Sequence, residues 1–214
     1  MLIKSKRFTK NNNILKKSFF CRPSKIVAPE LIGCTLVKEL KGEPNLYGVI
    51  VEAEAYCQSE PSCHGHKTRS PKNETLFGSP GHLYVYLIYG IYYCVNIVAD
   101  KSNWASGVLL RAVAISGEDE RIAAGPALTA KRFGINKKHD TLEISRDNGM
   151  WIEDRLPDFE MKKIIQTKRV GISKAKDLSW RWYLQQSRSI SKRAKGDKLP
   201  RKENAWYPQE RIYI

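Results

Sequence analysis

Apolar residues along the chain fall mostly in short runs of period two, separated by turn residues. "CTLVKEL" alternates and reads as a strand, "KGEPN" as a turn, and "LYGVIVEAEAY" as a second, β-rich strand. Before them, "SKIVAPELIG" reads as a short helix capped by Ser24 and stopped by Gly33. From Gln58 to Gly81 the composition changes to Ser, Pro, Gly, Asn, His and basic residues. A loop of about two dozen residues in a compact domain is usually functional or disordered. "HLYVYLIYG", "IYYCVNIVA" and "GVLLRAVAI" are strand-like by their aromatic and β-branched content. "GPALTAKRFGI" reads as a helix with Pro126 in its first turn and Gly134 at its end. "DTLEI", "GMWIED" and "TKRVGIS" are short strand candidates, and Ser187–Lys202 reads as a basic surface loop. Neither repeats nor a linker interrupt this pattern. It predicts an α+β fold: a single domain with a curved, mostly antiparallel β-sheet and surrounding helices. The domain is expected over residues 24–214, with residues 1–23 as a basic, flexible arm.

Charge narrows the partners. The 214 residues carry a net charge of +15. That excess says nothing of fold, but it attracts polyanions, and nucleic acid is the first candidate because each neutralised phosphate releases counterions. The first 25 residues are rich in Lys and Asn and contain no acid. An organellar presequence would favour Arg and Ser, so an arm that touches DNA phosphates fits better. The N-terminus lacks the apolar core of a secretory signal. Cys21, Cys34, Cys57, Cys63 and Cys94 form no CxxC pair and read as reduced thiols. The expected location is therefore cytoplasmic or nuclear, not secreted.

"GHLYVYLIYGIYYC" holds five of the ten tyrosines. Leu83–Ala99 is 17 uncharged residues, at the lower edge of a membrane span, but tyrosine hydroxyls, Gly90 and Asn96 would sit at hydrocarbon depth. Periodicity favours a core strand with Tyr84 and Tyr86 on one face and Val85 and Leu87 on the other. A third reading is a stacking surface, since every base offers a π-face. Tyr89, beside Gly90, can stand out where the chain turns, which is the shape of a wedge between base pairs. In "VEAEAY", Glu52 and Glu54 lie two apart on one side of a strand. Glutamates usually face solvent, yet a carboxylate at a strand end beside a cleft is also a candidate general base.

The block from Val51 to Val98 closely resembles the central region of the alkyladenine (3-methyladenine) DNA glycosylase family. It shows in order Glu-x-Glu-Ala-Tyr, a Cys-His pair, a basic loop with Asn, and Tyr-Val-Tyr-x-x-Tyr-Gly. "GVLLRA", "GPALTAKRFGI", "RVGIS" and "WRWY" continue the match, so it spans roughly residues 24–186. The resemblance implies that Glu54 is the catalytic general base and that Arg111 helps hold the nucleophilic water. It implies that Tyr56 and His64 line the pocket for an extruded base, that Tyr86 stacks on that base, and that Tyr89 fills the gap left in the duplex. Asn96 matches an asparagine that excludes guanine by crowding its 2-amino group. Tyr84, Tyr92 and Tyr93 are left as packing and scaffold.

The expected activity is thus a monofunctional DNA glycosylase of base excision repair. It would act as a monomer on double-stranded DNA containing alkylated or deaminated purines, with no cofactor, metal or membrane partner. Extrusion of the nucleotide is required before chemistry at C1′, and a carboxylate near that carbon stabilises an oxocarbenium-like sugar. A lyase step would need an amine nucleophile, and the lysines lie in basic runs that read as phosphate contacts. The rival is a non-catalytic nucleic-acid-binding domain that stacks bases on its tyrosines. Cys57, Cys63, His64 and His66 lack the spacing of a zinc site. His82 and His139 read as surface or turn residues, and Gly78, Pro80 and Gly81 suit a tight turn. Three features depart from the family pattern: the Ala114–Gly125 segment is short, Lys72 replaces a common arginine, and "QQSRSISKRAKG" replaces a Gly-Ser-Pro-like segment. The last puts the C-terminal contacts in question, but not the pocket.

Overall fold

The computed structural model describes residues 7–8, 14–155, 159, 164–209 and 212–213. Its centre is strand β3 (Leu46–Cys57), twelve residues long. Strands β2 (Thr35–Lys38), β4 (Leu83–Ile88), β5 (Tyr92–Val98), β6 (Ser106–Ala114), β7 (Met150–Glu153), β8 (Ile164–Thr167) and β9 (Arg181–Leu184) complete an eight-stranded sheet. The main path runs β4-β5-β6-β3-β2-β7, while β9 joins β3 and carries β8 outside it. Every pairing in this sheet is antiparallel. Arg7–Phe8 (β1) and Ile212–Tyr213 (β10) form a separate two-residue parallel pair. The expected curved, antiparallel α+β architecture is therefore the observed one.

β3 sends one edge to β6 along Val49–Cys57 and divides the other between β2 (Leu46–Val49) and β9 (Glu52–Glu54). Its pairing with β6 shifts register on both sides of Glu52, leaving Val51 on β3 and Arg111 on β6 without an opposite partner. Such bulges bend a strand and re-aim its side chains. Here the bulged residue is the arginine that turns toward both glutamates.

Helix α2 (Ser24–Leu31) buries Val27, Ala28 and Leu31 against β3, β6 and β9. Its first-turn Ser24 is not a cap: the hydroxyl donates to the Tyr56 carbonyl at 2.9 Å and ties the helix to the strand bearing the glutamates. Gly33, at φ 95°, ends the helix region as its sequence suggests. Helix α3 (Pro126–Arg132) packs on β5 and β6.

Other expectations are corrected. Within the segment expected as a flexible arm, helix α1 (Lys17–Phe20) buries Phe20, and Leu15 donates its N–H to Ile152 at 2.9 Å. Residues 1–6 and 9–13 lie outside the described ones. "DTLEI" makes only a single bridge, Glu143 to His82, because Thr141 turns at φ 72° before it can extend. "TKRVGIS" is not a strand either: β8 ends at Thr167, and the next residues bend toward the interior of the sheet. The membrane reading of Leu83–Ala99 is replaced by the β4–β5 hairpin, and among the described residues no helix is long and apolar enough to cross a membrane.

Candidate active site

Glu52 and Glu54 are both wholly buried. Arg111 reaches back between them, donating through Nε to Glu52 at 3.2 Å and through Nη1 to Glu54 Oε2 at 3.1 Å. Glu54 Oε2 also accepts from the Tyr56 hydroxyl at 2.8 Å, and Oε1 accepts from the Val170 N–H at 2.7 Å. Glu52 takes Arg181 Nη1 at 2.7 Å, with the hydroxyl and N–H of Ser191 at 2.9 and 2.7 Å. Two carboxylates and two guanidiniums thus balance in one buried cluster. Leaving a buried charge unpaired costs several kcal/mol, which is why the partners come together. Burial pushes the Glu54 carboxyl above its ordinary value. Arg111, the Val170 N–H and the Tyr56 hydroxyl pull it down, and Glu52 pushes it further up.

In front of Glu54 lies a cavity of about 530 Å³. Its walls include Tyr56, His64, Tyr86, Tyr89, Asn96 and Arg111. Six of the seven residues singled out from the sequence therefore line one space, and the seventh, Glu54, is hydrogen-bonded to two of them.

The aromatic wall is a set of edges. The His64 ring meets Tyr86 edge-on with centroids 4.6 Å apart, and Tyr86 lies 5.3 Å from Tyr84. Such tilted arrangements suit the ring quadrupoles. Tyr84 is corrected from scaffold to cavity wall: its hydroxyl lies 2.9 Å from His64 Nδ1 and fixes that ring's orientation. Burial lowers the His64 pKa, so the ring is neutral near neutral pH. Asn96 is buried in β5 and donates to the Tyr84 carbonyl at 3.3 Å.

His64 sits in the Gln58–Gly81 loop, whose Leu76 and Phe77 pack with Cys63, Tyr84, Val98 and Ala105 in a second small core. Gly65 lets the loop press inward: a Cβ there would lie 2.2 Å from that of Ala105 and 2.9 Å from the Phe77 ring. Cys57, Cys63, His64 and His66 each turn to a different partner, in order Ser59, Ala105, Tyr84 and Gln58.

Tyr89 stands at the rim, 88 % exposed. It and Gly90 are the central residues of the Ile88–Ile91 turn, with φ of 50° and 74°, closed by the Ile91 N–H on the Ile88 carbonyl at 3.2 Å. Turns with positive φ at both centres match the twist of a hairpin, but a tyrosine there is strained. Leu87, Ile91 and Tyr92 are exposed on the same tip.

Sequence reasoning missed the supporting residues. Val170, Arg181 and Ser191 come from segments read as a strand, as an undivided motif and as a surface loop. The last is a second correction: Ser187, Ser189 and Ile190 are buried, and Ser191 closes the back of the site. No local signal marks these contacts, because Val170, Arg181 and Ser191 lie 116, 129 and 139 positions from the glutamates they bond.

The family model described as methylpurine-DNA glycosylase matches residues 18–188. A protein of Trichodesmium erythraeum named "Putative 3-methyladenine DNA glycosylase" is 39 % identical over 199 residues, covering 85 % of this chain and 99 % of its own. Proteins of the same name from Carboxydothermus hydrogenoformans and Wolbachia pipientis wMel are 36 % and 38 % identical, covering 84 % and 80 % of this chain and 100 % and 92 % of theirs.

Proposed function

Since the chain belongs to the methylpurine-DNA glycosylase family, and is by that membership a DNA glycosylase that hydrolyses N-glycosyl bonds, we propose that it turns alkylated or deaminated purine nucleotides out of duplex DNA and leaves an abasic site. The carrying observation is that one cavity is bounded both by the exposed Tyr89 and by Arg111, which is bonded to the buried Glu54. A plug for the duplex and a base for the sugar thus serve a single pocket.

Extrusion costs a few kcal/mol, which the Tyr89 ring in the vacated stack and the aromatic cavity walls offset. A purine between Tyr56, His64 and Tyr86 would present its C1′ toward Glu54. A carboxylate has about four accepting directions. Glu54 Oε2 uses two and Oε1 one, so one direction on Oε1 remains for a water. As the C1′–N bond breaks, its electron pair leaves with the base, and the sugar becomes oxocarbenium-like. The water oxygen bonds to C1′, and Glu54 takes the proton. A raised pKa makes Glu54 a stronger base once ionised. No lysine lines the cavity among the described residues, which supports hydrolysis over a Schiff-base lyase step. One chain supplies every group named here, which supports a monomeric working form.

The test uses duplexes bearing 3-methyladenine, ethenoadenine or hypoxanthine, followed by hot alkali to cut abasic sites. Strand cleavage with the wild type but not with Glu54→Gln is expected. Tight binding without abasic sites on any of the lesions would sink the proposal.

A further inference from the structure

We propose that Arg169 is a positioning residue: by gripping Glu60 it holds the Val170 N–H on Glu54 and the Tyr56 ring at the cavity wall. This inference rests on the reading of Glu54 as general base. The Arg169 side chain is 0 % exposed and that of Glu60 is 5 % exposed. Two nitrogens of Arg169 bond the two Glu60 oxygens at 2.7 and 2.8 Å. Nη1 also donates to the Ala55 carbonyl at 2.9 Å, between Glu54 and Tyr56 in the chain. The guanidinium carbon lies 4.6 Å from the centroid of the Tyr56 ring, and the next residue, Val170, supplies the N–H on Glu54 Oε1. One side chain therefore ties together the strand of the catalytic carboxylate, the loop that carries His64, and the segment that bonds Glu54.

Val170 has no strand to hold it, because β8 stops at Thr167. Its neighbourhood is fixed by Arg169 on Glu60 and by Arg181 Nε on the Lys168 carbonyl at 2.9 Å. A lysine could not replace the grip, since it lacks the planar fork that pairs both oxygens and lies on a ring. A buried ion pair is also an inefficient source of stability, as apolar residues of similar volume often do as well. What it provides here is geometry.

The charged and titratable groups facing Glu54 define the expected pH effect. Glu52 and Tyr56 come from its own strand, Arg111 from β6, Tyr86 and Cys94 from β4 and β5, and Arg181 on β9 lies opposite through Glu52. Disturbing Arg169 misaligns the Val170 N–H, whose bond favours ionised Glu54. Glu54 then ionises at higher pH.

The test compares wild type, Arg169→Lys and the double variant Arg169→Met with Glu60→Gln, which removes both charges together. Single-turnover excision is followed from acid to neutral pH on a duplex with one ethenoadenine and on methylated duplex DNA. Melting and affinity for an abasic-site duplex are measured alongside. Both variants are expected to bind the abasic duplex as wild type does, to excise about ten- to a hundredfold more slowly, and to show an acid limb at higher pH, with Arg169→Lys the milder. Variants that fold and match the wild-type rate and limb would overturn the role of Arg169. If the double variant does not fold, Arg169→Lys alone decides by the same criteria. A wild type inert on both substrates would instead overturn the underlying reading of Glu54.

Discussion

Tyr89 allows stability and function to be separated in one side chain. It is 88 % exposed, so truncation to alanine forfeits about an eighth of full burial, or roughly 0.3 kcal/mol against about 2–3 kcal/mol for a buried aromatic. Its φ of 50° also stores strain, of order 1 kcal/mol for a residue with a Cβ. Tyr89→Gly relieves that strain at an entropic cost of about 0.5–1 kcal/mol. Both variants should therefore melt within a degree or two of wild type, since 1 kcal/mol moves a chain of this size by about 2–4 °C. Function should respond differently. Stacking of an aromatic ring on a base is worth about 1–3 kcal/mol, so losing the plug should lower kcat/KM about 5- to 150-fold. The assay is excision from a lesion duplex at limiting enzyme, with Tyr89→Phe as the control that keeps the ring and the rate. A drop in melting temperature of many degrees would make Tyr89 a packing residue. An unchanged kcat/KM would remove the wedge from the mechanism.

Glu54 must be ionised to accept a proton, and burial raises its pKa. On a neutral lesion such as hypoxanthine, kcat/KM should therefore fall on the acid side with a midpoint above the ordinary 4.5; a midpoint at or below it contradicts the desolvated base. Tyr84→Phe frees His64 of its 2.9 Å partner, and losing one hydrogen bond of about 1 kcal/mol should change excision severalfold and alter the ratio between lesions; identical rates on every lesion would leave Tyr84 as scaffold. Ser191→Ala removes a hydroxyl from Glu52 and Arg111, leaving buried groups short of a partner at about 1–3 kcal/mol. Melting should fall by several degrees and excision should slow; a variant equal to wild type in both would reduce the C-terminal segment to a cover.

The sheet was legible because its signals are local. Alternation and β-branched content mark Leu46–Cys57, Leu83–Ile88, Tyr92–Val98 and Ser106–Ala114, and a tyrosine followed by glycine marks the hairpin turn. The seven candidate residues were legible through the order of short motifs; six line one cavity and Glu54 bonds two of them, because β3, β4, β5 and β6 are neighbours in the sheet and the Gln58–Gly81 loop packs His64 against β4. What stayed hidden is long-range. The strand suggested in "TKRVGIS" fails because Arg169 is drawn inward by Glu60 and Val170 by Glu54, two contacts more than 100 positions away. The basic segment after Leu184 looks solvated by composition, yet Ser191 is held by Glu52 through two hydrogen bonds that no periodicity reveals.

The choice between the two glutamates also follows from where their donors sit. Both lie on one strand face, both are buried, and both bond Arg111. Glu52 accepts four bonds, from Arg111, Arg181 and the Ser191 hydroxyl on Oε1 and from the Ser191 N–H on Oε2. Of these donors only Arg111 lines the cavity, and Glu52 serves as the fixed counter-charge that keeps Arg111 in place. Glu54 accepts three bonds, and all three donors, Tyr56, Arg111 and Val170, themselves line the cavity. The bulge at Arg111 makes this division possible, because a regular ladder would pair Arg111 across β3 instead of freeing it to span both acids. Two identical side chains two positions apart thus acquire different duties from the donors around them.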